Sequence, residues 1–193
     1  MNLIKSLIKR EAKMTNETLE VLKSRRSCRS FKSDMIKDEE LDAILKAGTY
    51  AASAKGKQSS IIIVVKNKEL REKLSKENAK IGNYPDGVDP FYGAPVILIV
   101  LADKDANGSL DTHRCDGSLV LGNLMNAAES LGVASIWINR AREEFDSEFG
   151  KNILKDLGIK GNYEGIGHCA LGYAKDVQTA AAPRKKDYIY RID

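Results

Sequence analysis

The chain is short of cysteine, histidine and aromatic residues, and each shortage argues against a class of protein. Among 193 residues there are three cysteines and two histidines, and aromatic residues make up 6%. Three widely separated cysteines without a C-x-x-C pair argue against a disulfide framework and against a zinc ribbon. Neither histidine is followed by further ligands at metal spacing, so we predict no metal site.

The sequence also lacks a hydrophobic run long enough to cross a membrane. A spanning helix needs about 20 consecutive apolar residues, and no stretch of this chain approaches that length. The first residues interleave lysine with isoleucine and lack the apolar core of a secretory signal. These absences predict a cytoplasmic protein that does not insert into membranes.

Positive charge is scarce outside the N-terminus. The formal net charge is +4, and residues 1–13 supply +3 of it from four basic residues and one acidic residue. The rest of the chain is nearly neutral and offers no basic face large enough for a phosphate backbone. With few aromatic residues to stack on bases, the chain is not expected to bind nucleic acid.

The sequence has the pattern of one globular domain preceded by a short N-terminal arm. Residues 1–14 place apolar side chains on one helical stripe with lysines opposite, which predicts an amphipathic arm. Residues 15–193 are predicted to form a single domain, and the 42% hydrophobic and 30% charged content of the chain is ordinary for one.

Apolar periodicity predicts helices alternating with buried strands. The uninterrupted β-branched and leucine run at 95–101 indicates a strand covered on both faces. The helix predicted at 116–131 is apolar almost all round, which suits a core or a subunit interface. The other predicted helices cover residues 15–23, 38–52, 68–80 and 142–157, the other predicted strands cover 61–65, 134–138 and 166–173, and residues 188–192 could add an edge strand. Thr15 or Asn16 is expected to cap the first helix, and Gly150 is a weak point in the last.

Two basic stretches stand near opposite ends of the predicted domain. The first runs from Ser24 to Phe31 and contains three arginines, and the second combines Gly172-Tyr173 with the Arg-Lys-Lys run at 184–186. A fold that joins these ends would make a pocket of guanidinium and hydroxyl donors suited to a phosphorylated cofactor. An isolated R-R-x-x-R also fits a solvated basic turn, so the pattern needs support from the rest of the chain.

One motif imitates a nucleotide-binding signature. Residues 165–170 read G-x-G-x-x-A, but that fingerprint works only between a strand and a helix whose N-terminus holds the pyrophosphate. Here the following residues themselves have strand character, so we interpret the glycines as close-packing positions. His168, within this stretch, is predicted to be a hydrogen-bonded strand residue and not a metal ligand.

Several motifs follow one another in a characteristic order along the chain. They are R-R-S-C-R-S-F at 25–31, the loop A-A-S-A-K-G-K-Q at 51–58, Y-G-A-P at 92–95, the helix and strand at 116–137, and L-G-Y at 171–173 with P-R-K at 183–185. Together they resemble the FMN-dependent nitroreductase family. The resemblance runs from about Leu19 to Ile192 and leaves out only the N-terminal arm.

The resemblance implies a fold and an activity. The fold would be α+β, an α/β/α sandwich with a central, mostly antiparallel sheet flanked by helices, in a homodimer whose sites lie between two subunits. The activity would be that of an oxidoreductase that takes electrons from NADH or NADPH and passes them, in a ping-pong reaction, to nitroaromatic, quinone or related electron-poor acceptors. FMN would supply the chemistry at its N5 atom, so no catalytic side chain is expected.

The resemblance also assigns cofactor-binding roles by position. The two basic stretches would hold the FMN phosphate. Arg29 would lie at flavin N1 and O2, where a fixed guanidinium stabilises developing negative charge. The loop at 53–58 would contact the ribityl chain or the pyrimidine edge, and main chain near Ile138 would face N5. The complete expected set is Arg25, Arg26, Ser27, Arg29, Ser53, Gln58, Asn78, Ile138, Asn139, Arg184, Lys185 and Lys186.

Two departures from the family pattern leave alternatives open. Residues 56–60 read G-K-Q-S-S where the family has an Asn and a Pro-Trp pair, and the stretch between the middle strands is short. Both changes lie on the substrate side of the expected site. The alternatives are an FMN-binding store or sensor and a flavin enzyme of different chemistry, because one fold hosts many reactions.

Overall fold

A computed structural model describes residues 15–108 and 110–192, and the predicted arm at 1–14 lies outside the described residues. Within these ranges, helices pack on both faces of one four-stranded sheet, which confirms the α+β prediction. The strands are β1 Ser60–Val65, β2 Val96–Asp103, β3 Ala134–Ile138 and β4 Tyr163–Gly172.

The sheet has the order β1-β2-β4-β3, and all of its pairings are antiparallel. The last strand therefore lies between two earlier ones and joins β2 to β3. Along β2 the side chains alternate between two hydrophobic cores: Ile97, Ile99 and Leu101 enter one, and Val96 and Leu98 enter the other. This double burial explains why the sequence of β2 is apolar throughout.

The helices divide between the two faces of the sheet. Their bounds are α1 Glu17–Ser24, α2 Asp38–Thr49, α3 Lys68–Ile81, α4 His113–Ser130, α5 Ala141–Asp146 and α6 Glu148–Asp156. Helices α2 and α4 pack against each other and contribute to the core that contains Val96 and Leu98, while α3, α5 and α6 contribute Leu74, Phe145 and Ile153 to the other core. Asn16 and Asn67 cap the first and third helices by accepting a hydrogen bond from a main-chain N–H three residues further along the chain.

The predicted helix at 142–157 is in fact two helices. The break falls at Ser147, whose extended backbone (ψ 165°) ends α5 and begins α6, and not at Gly150. Gly150 instead allows the two helices to pack closely, because an added Cβ would lie 2.5 Å from the Glu144 carbonyl oxygen. The sequence showed a weak point in the helix but misjudged which residue breaks it.

Strand β4 confirms that residues 165–170 are not a dinucleotide fingerprint. All of them lie inside the strand, and no helix follows this strand in the described part of the chain. A Cβ on Gly165 would meet the Ala141 carbonyl oxygen at 2.0 Å, and one on Gly167 would meet the Trp137 ring nitrogen at 2.3 Å. These glycines therefore permit close packing.

The C-terminal segment differs from its prediction. Residues 188–192 form no strand within the described chain, and several apolar side chains after β4 are almost fully exposed, including Val177 at 97% and Ile192 at 100%. In the described part of the chain, no helix has both the length and the apolar character needed to cross a membrane.

Candidate functional site

The two basic ends of the chain meet at one cavity of about 750 Å³. Arg25, Arg26 and Ser27 line it from the segment that follows α1, and Arg184 lines it from the C-terminal tail together with residues 179–182. The tail reaches this position because Lys175 donates a main-chain hydrogen bond to the Ser30 carbonyl (3.0 Å). The predicted meeting of the two basic ends is present in the structure.

The guanidinium groups in this cavity include donors without protein acceptors. Arg25 Nη1 and Arg26 Nε are buried and have no hydrogen-bond partner among the described residues. Arg26 is held in place because its Nη1 donates to the Lys23 and Arg25 carbonyls, each at 2.7 Å. Unpaired buried donors are rare in proteins, and an oxyanion with several lone pairs, such as phosphate, would satisfy them.

The edge of the sheet fixes the segment that carries these arginines. Ser27 forms an isolated bridge with Ser135 of β3, and Cys28 donates its main-chain N–H to the Ser135 carbonyl at 3.0 Å. Cys28 and Phe31 are buried in the core, and so anchor the segment on either side of Arg29. The arginines therefore extend from a rigid edge of the sheet and not from a free turn.

The other predicted basic residues do not line the cavity. Arg29 is exposed, with its Nη1 3.5 Å from the Ser27 carbonyl oxygen. Lys185 lies over the Tyr188 ring at 5.4 Å, and Lys186 is exposed. Arg29 stands one residue beyond the bridged segment, while the two lysines follow Arg184 on the exposed tail.

Ser53 and Gln58 lie in a second, separate cleft of about 400 Å³. The loop between them is tightly wound, because Lys55, Gly56 and Gln58 have positive φ and the Gln58 N–H donates to Ser53 Oγ at 2.9 Å. The rest of the cleft is mostly apolar, with side chains from α2, β1 and α4, and its other polar lining residues are Thr49, Ser60 and Asp116.

Asp116 holds this loop and was missed by the sequence analysis. Its carboxylate accepts hydrogen bonds from the Ala54 N–H (2.9 Å) and from Ser59 Oγ (2.7 Å), and the residue is only 3% exposed. The available signal was an acidic residue on the first turn of an otherwise apolar helix, a position that faces the core and needs polar partners.

The cavity and the cleft lie at opposite corners of the sheet. Ser27 bridges the start of β3, which pairs with the end of β4, whereas the 53–58 loop leads into β1 where β2 ends. With eight residues in β2, the corners are about 24 Å apart along the strands and about 14 Å apart across them. These two groups of predicted residues therefore do not come together within one chain.

The end of β3 lies on the same edge as the basic cavity. Ile138 is three residues beyond Ser135, or about 10 Å along the strand. Asn139 is exposed, and Arg140 takes a left-handed conformation (φ 79°) that redirects the chain into α5. Asn139 and the half-buried Arg140 thus reach solvent on the edge that carries the arginines, whereas the Ile138 side chain is buried in the core.

Asn78 is not placed where direct contact with a ligand is possible. It is fully buried, and its Nδ2 donates to the Asn139 carbonyl oxygen (2.9 Å) and to Glu144 Oε1 (2.6 Å). The α3 helix turns this side chain inwards, so its amide is used within the protein. Asn78 therefore touches the predicted site only through the main chain of Asn139.

Groups with shifted pKa values lie outside the cavity and the cleft. The hydrogen bond from the Tyr173 hydroxyl (2.6 Å) lowers the pKa of Glu40 and raises that of Tyr173. Burial raises the pKa of Cys169 to about 12, so this thiol stays protonated. The hydrogen bond from Arg114 lowers the pKa of Glu164. These shifts arise from structural pairs and from burial.

Comparisons with known proteins point to one family. A family model described as the nitroreductase family matches residues 22–173. A protein named as an NADH dehydrogenase/NAD(P)H nitroreductase in Archaeoglobus fulgidus is 32% identical over 161 residues, 83% of this chain and 87% of its own length. An NAD(P)H-dependent FMN reductase of Bacillus subtilis is 30% identical over 145 residues, 66% of this chain and 55% of its own length.

Solved structures also share the fold. The crystal structure of a nitroreductase with bound FMN from Desulfitobacterium hafniense has a TM-score of 0.82 and 32% identity, and the match covers 93% of this chain and all of that one. A nitroreductase with bound FMN from Bacteroides fragilis has a TM-score of 0.80 and 29% identity over the same shares.

Proposed function

The chain belongs to the nitroreductase family, and from this premise we propose that it is an FMN-dependent NAD(P)H oxidoreductase of electron-poor small molecules. Two FMN-bound nitroreductases match its fold over 93% of its length. Relatives at 30% and 32% identity are named for NAD(P)H-dependent reduction of FMN or of nitro compounds. The domain predicted at 15–193 would carry the FMN site, and the predicted cytoplasmic location suits a protein that uses NAD(P)H.

The observation that carries the proposal is the pair of buried, unpaired guanidinium atoms, Arg25 Nη1 and Arg26 Nε. The two arginines that carry these atoms line one cavity with Ser27 and Arg184. A dianionic phosphomonoester such as the FMN phosphate offers enough lone pairs for all of these donors and balances their charge. The residues present therefore fit the cofactor that the family implies.

Each part of this sheet edge would bind or orient a different part of FMN. The arginines and Ser27 would hold the phosphate, and Arg29 would place positive charge near the flavin pyrimidine ring. The main chain at 138–140, about 10 Å further along β3, would lie beside the reacting face. FMN, when bound, supplies the transfer of two electrons from NAD(P)H to the acceptor. The protein contributes position, charge and an accessible face.

A second copy of the chain would complete the site. Ser53 and Gln58 lie at the corner opposite the basic cavity, at a separation larger than one FMN molecule. A homodimer could place this loop of one copy over the cavity of the other. The exposed apolar side chains of the tail, including Val177 and Ile192, support such an interface because they need cover.

The proposal is tested with the purified protein under anaerobic conditions. We expect a yellow protein whose visible flavin band is lost within seconds of adding NADH or NADPH and returns on adding a quinone or a nitroaromatic acceptor. Equilibrium sedimentation of the same sample should give twice the chain mass.

The other outcomes separate the alternatives. A yellow protein that both nucleotides leave oxidised would favour a flavin store or sensor, or a different electron donor. A colourless protein that cannot be reconstituted with FMN would overturn the proposal, because every residue role above assumes that cofactor.

A further inference from the structure

Three polar side chains form a fully buried network beneath the end of β3. Asn78 of α3, Glu144 of α5 and His168 of β4 are each 0% exposed. His168 Nε2 lies 2.8 Å from Glu144 Oε2, and Asn78 Nδ2 donates to Glu144 Oε1 at 2.6 Å. The Phe91 ring packs edge-on against the His168 ring, with centroids 5.2 Å apart. The proposed function, as stated above, gives this network no role.

Hydrogen-bond chemistry fixes the protons in this network. His168 Nδ1 lies 3.3 Å from the Ile138 carbonyl oxygen, which can only accept, so Nδ1 carries a proton. The short contact between Nε2 and Glu144 needs one further proton between the two atoms. Polar partners at both ring nitrogens and at both carboxylate oxygens make the complete burial of the pair tolerable.

Both ends of the network contact residues 138–140. His168 contacts the Ile138 carbonyl, and Asn78 donates to the Asn139 carbonyl at 2.9 Å. Arg140, the next residue, lies with its Nη1 3.4 Å from Asn78 Oδ1 and its guanidinium over the Tyr84 ring at 5.0 Å. Two successive carbonyls and the following side chain are thus tied to elements behind the sheet edge.

The segment that is tied down in this way is strained and exposed. Arg140 has φ 79°, a conformation that costs a non-glycine residue free energy and persists only where the surroundings enforce it. Asn139 is exposed to solvent. A network that served only to fill the core could be apolar, whereas this one uses its polar atoms to determine the path of a solvent-facing turn.

We propose that His168, Glu144 and Asn78 are positioning residues, which hold the main chain of residues 138–140 in the conformation that faces the cofactor. The inference rests on the proposed function, since it assigns the network to the FMN site. Asn78, which the family resemblance predicts to contact the flavin, would instead act on it indirectly, through the main chain of Asn139.

The test compares three substitutions in otherwise intact protein. Asn78→Ala removes the donor to the Asn139 carbonyl and to Glu144. Glu144→Gln keeps the geometry, because its amide oxygen accepts from Asn78 and its amide nitrogen donates to His168 Nε2. Asn67→Ala is the matched control: it removes the cap that accepts from the Leu70 N–H at 2.9 Å and so destabilises α3 from the end that does not touch the network.

The first readout is hydrogen exchange in protein freed of FMN. In Asn78→Ala, amides at 138–142 should exchange at least about tenfold faster than in the wild type, while residues 25–31 stay unchanged. Glu144→Gln should match the wild type, and Asn67→Ala should change only the start of α3. Equal acceleration at 138–142 in Asn78→Ala and Asn67→Ala would mean that the network has no specific hold on the turn.

The second readout is anaerobic reduction of the FMN-loaded protein by NADH. Misplacing the segment beside the reacting atom should slow Asn78→Ala by about 10- to 100-fold, while its Kd for FMN changes less than about threefold because the phosphate donors are untouched. Glu144→Gln, which keeps the hydrogen bonds of the network, should be reduced by NADH at the wild-type rate. If Asn78→Ala does not fold, Arg140→Met, which cuts the network at its half-buried end, should show the same pattern to a smaller extent.

The outcomes separate the two proposals. A wild-type protein that binds no FMN overturns the proposed function and this role with it. A wild type that binds FMN, with Asn78→Ala reduced as fast as Asn67→Ala, overturns the positioning role alone.

Discussion

Replacing Arg25 with methionine should weaken FMN binding and stabilise the protein without FMN. The Nη1 atom of Arg25 is buried with no acceptor among the described residues. A buried donor left unpaired costs about 1 to 3 kcal/mol, and methionine keeps most of the apolar stem without that donor. We therefore expect the free energy of unfolding of the FMN-free protein to rise by about 1 kcal/mol.

The substitution should also raise the Kd for FMN, because it removes a hydrogen bond to the phosphate. A hydrogen bond to a charged group contributes about 1.5 to 3 kcal/mol, which corresponds to about a 10- to 150-fold higher Kd. Urea denaturation of the FMN-free protein measures the first effect, and quenching of flavin fluorescence on titration measures the second. The two effects have opposite signs, so a general loss of structure cannot imitate them.

Arg142→Met is the matched control. Arg142 has a side chain that is 57% exposed, and its Nε lies 3.9 Å from Asp146 on the surface of α5. Its loss should change stability by no more than about 0.5 kcal/mol and leave FMN affinity unchanged. An Arg25→Met protein whose Kd for FMN stays within about threefold of the wild type would refute the assignment of this cavity to the phosphate.

Further substitutions test other parts of the structure. Gly150→Ala should destabilise the fold by about 3 kcal/mol in urea denaturation, because the new Cβ would meet main-chain atoms of α5 at 2.5 Å. Glu164→Gln should cost about 2 kcal/mol at pH 7; Arg114 holds the pKa of Glu164 below its ordinary 4.5, so the difference from the wild type should shrink as the pH falls below that value. Asp116→Ala should leave two donors unpaired and lower stability by about 2 to 4 kcal/mol, and hydrogen exchange should show the loss at residues 53–59. Deletion of residues 176–193 should convert a dimer to a monomer in light scattering, and a dimer that survives the deletion would contradict the proposed role of the tail.

The sequence predicted the features that depend on local patterns. The uninterrupted apolar run at 95–101 predicted the central strand β2, because only a strand buried on both faces is apolar throughout. Asn16 was among the expected cap residues of the first helix and is its cap. The strand character of the residues that follow 165–170 was enough to reject the dinucleotide fingerprint.

Features that depend on distant contacts could not be predicted. The break between α5 and α6 falls at Ser147, and Gly150 packs against the backbone of the preceding helix; periodicity does not record such a tertiary contact. Glu144 was missed for the same reason, since its carboxylate becomes informative only when its partners from other elements are known. Asp116 differs, because its place on the first turn of a helix predicted to be apolar was a signal that could have been used. Asn78 was selected from the family resemblance and lies in none of the matching motifs, and a resemblance does not reveal which way a helix turns the side chain.

The place of β4 in the sheet has a consequence for synthesis of the chain on the ribosome. Strand β2 ends at Asp103, but the partner for its second edge is complete only at Gly172. At about 5 to 20 residues per second, the 69 residues from 103 to 172 leave that edge open for roughly 3 to 14 s. An eight-residue apolar strand with a free edge is a template for pairing with other nascent chains. Products that terminate before β4 should therefore aggregate, and chaperone demand should be greatest while the stretch between β2 and β4 is being made.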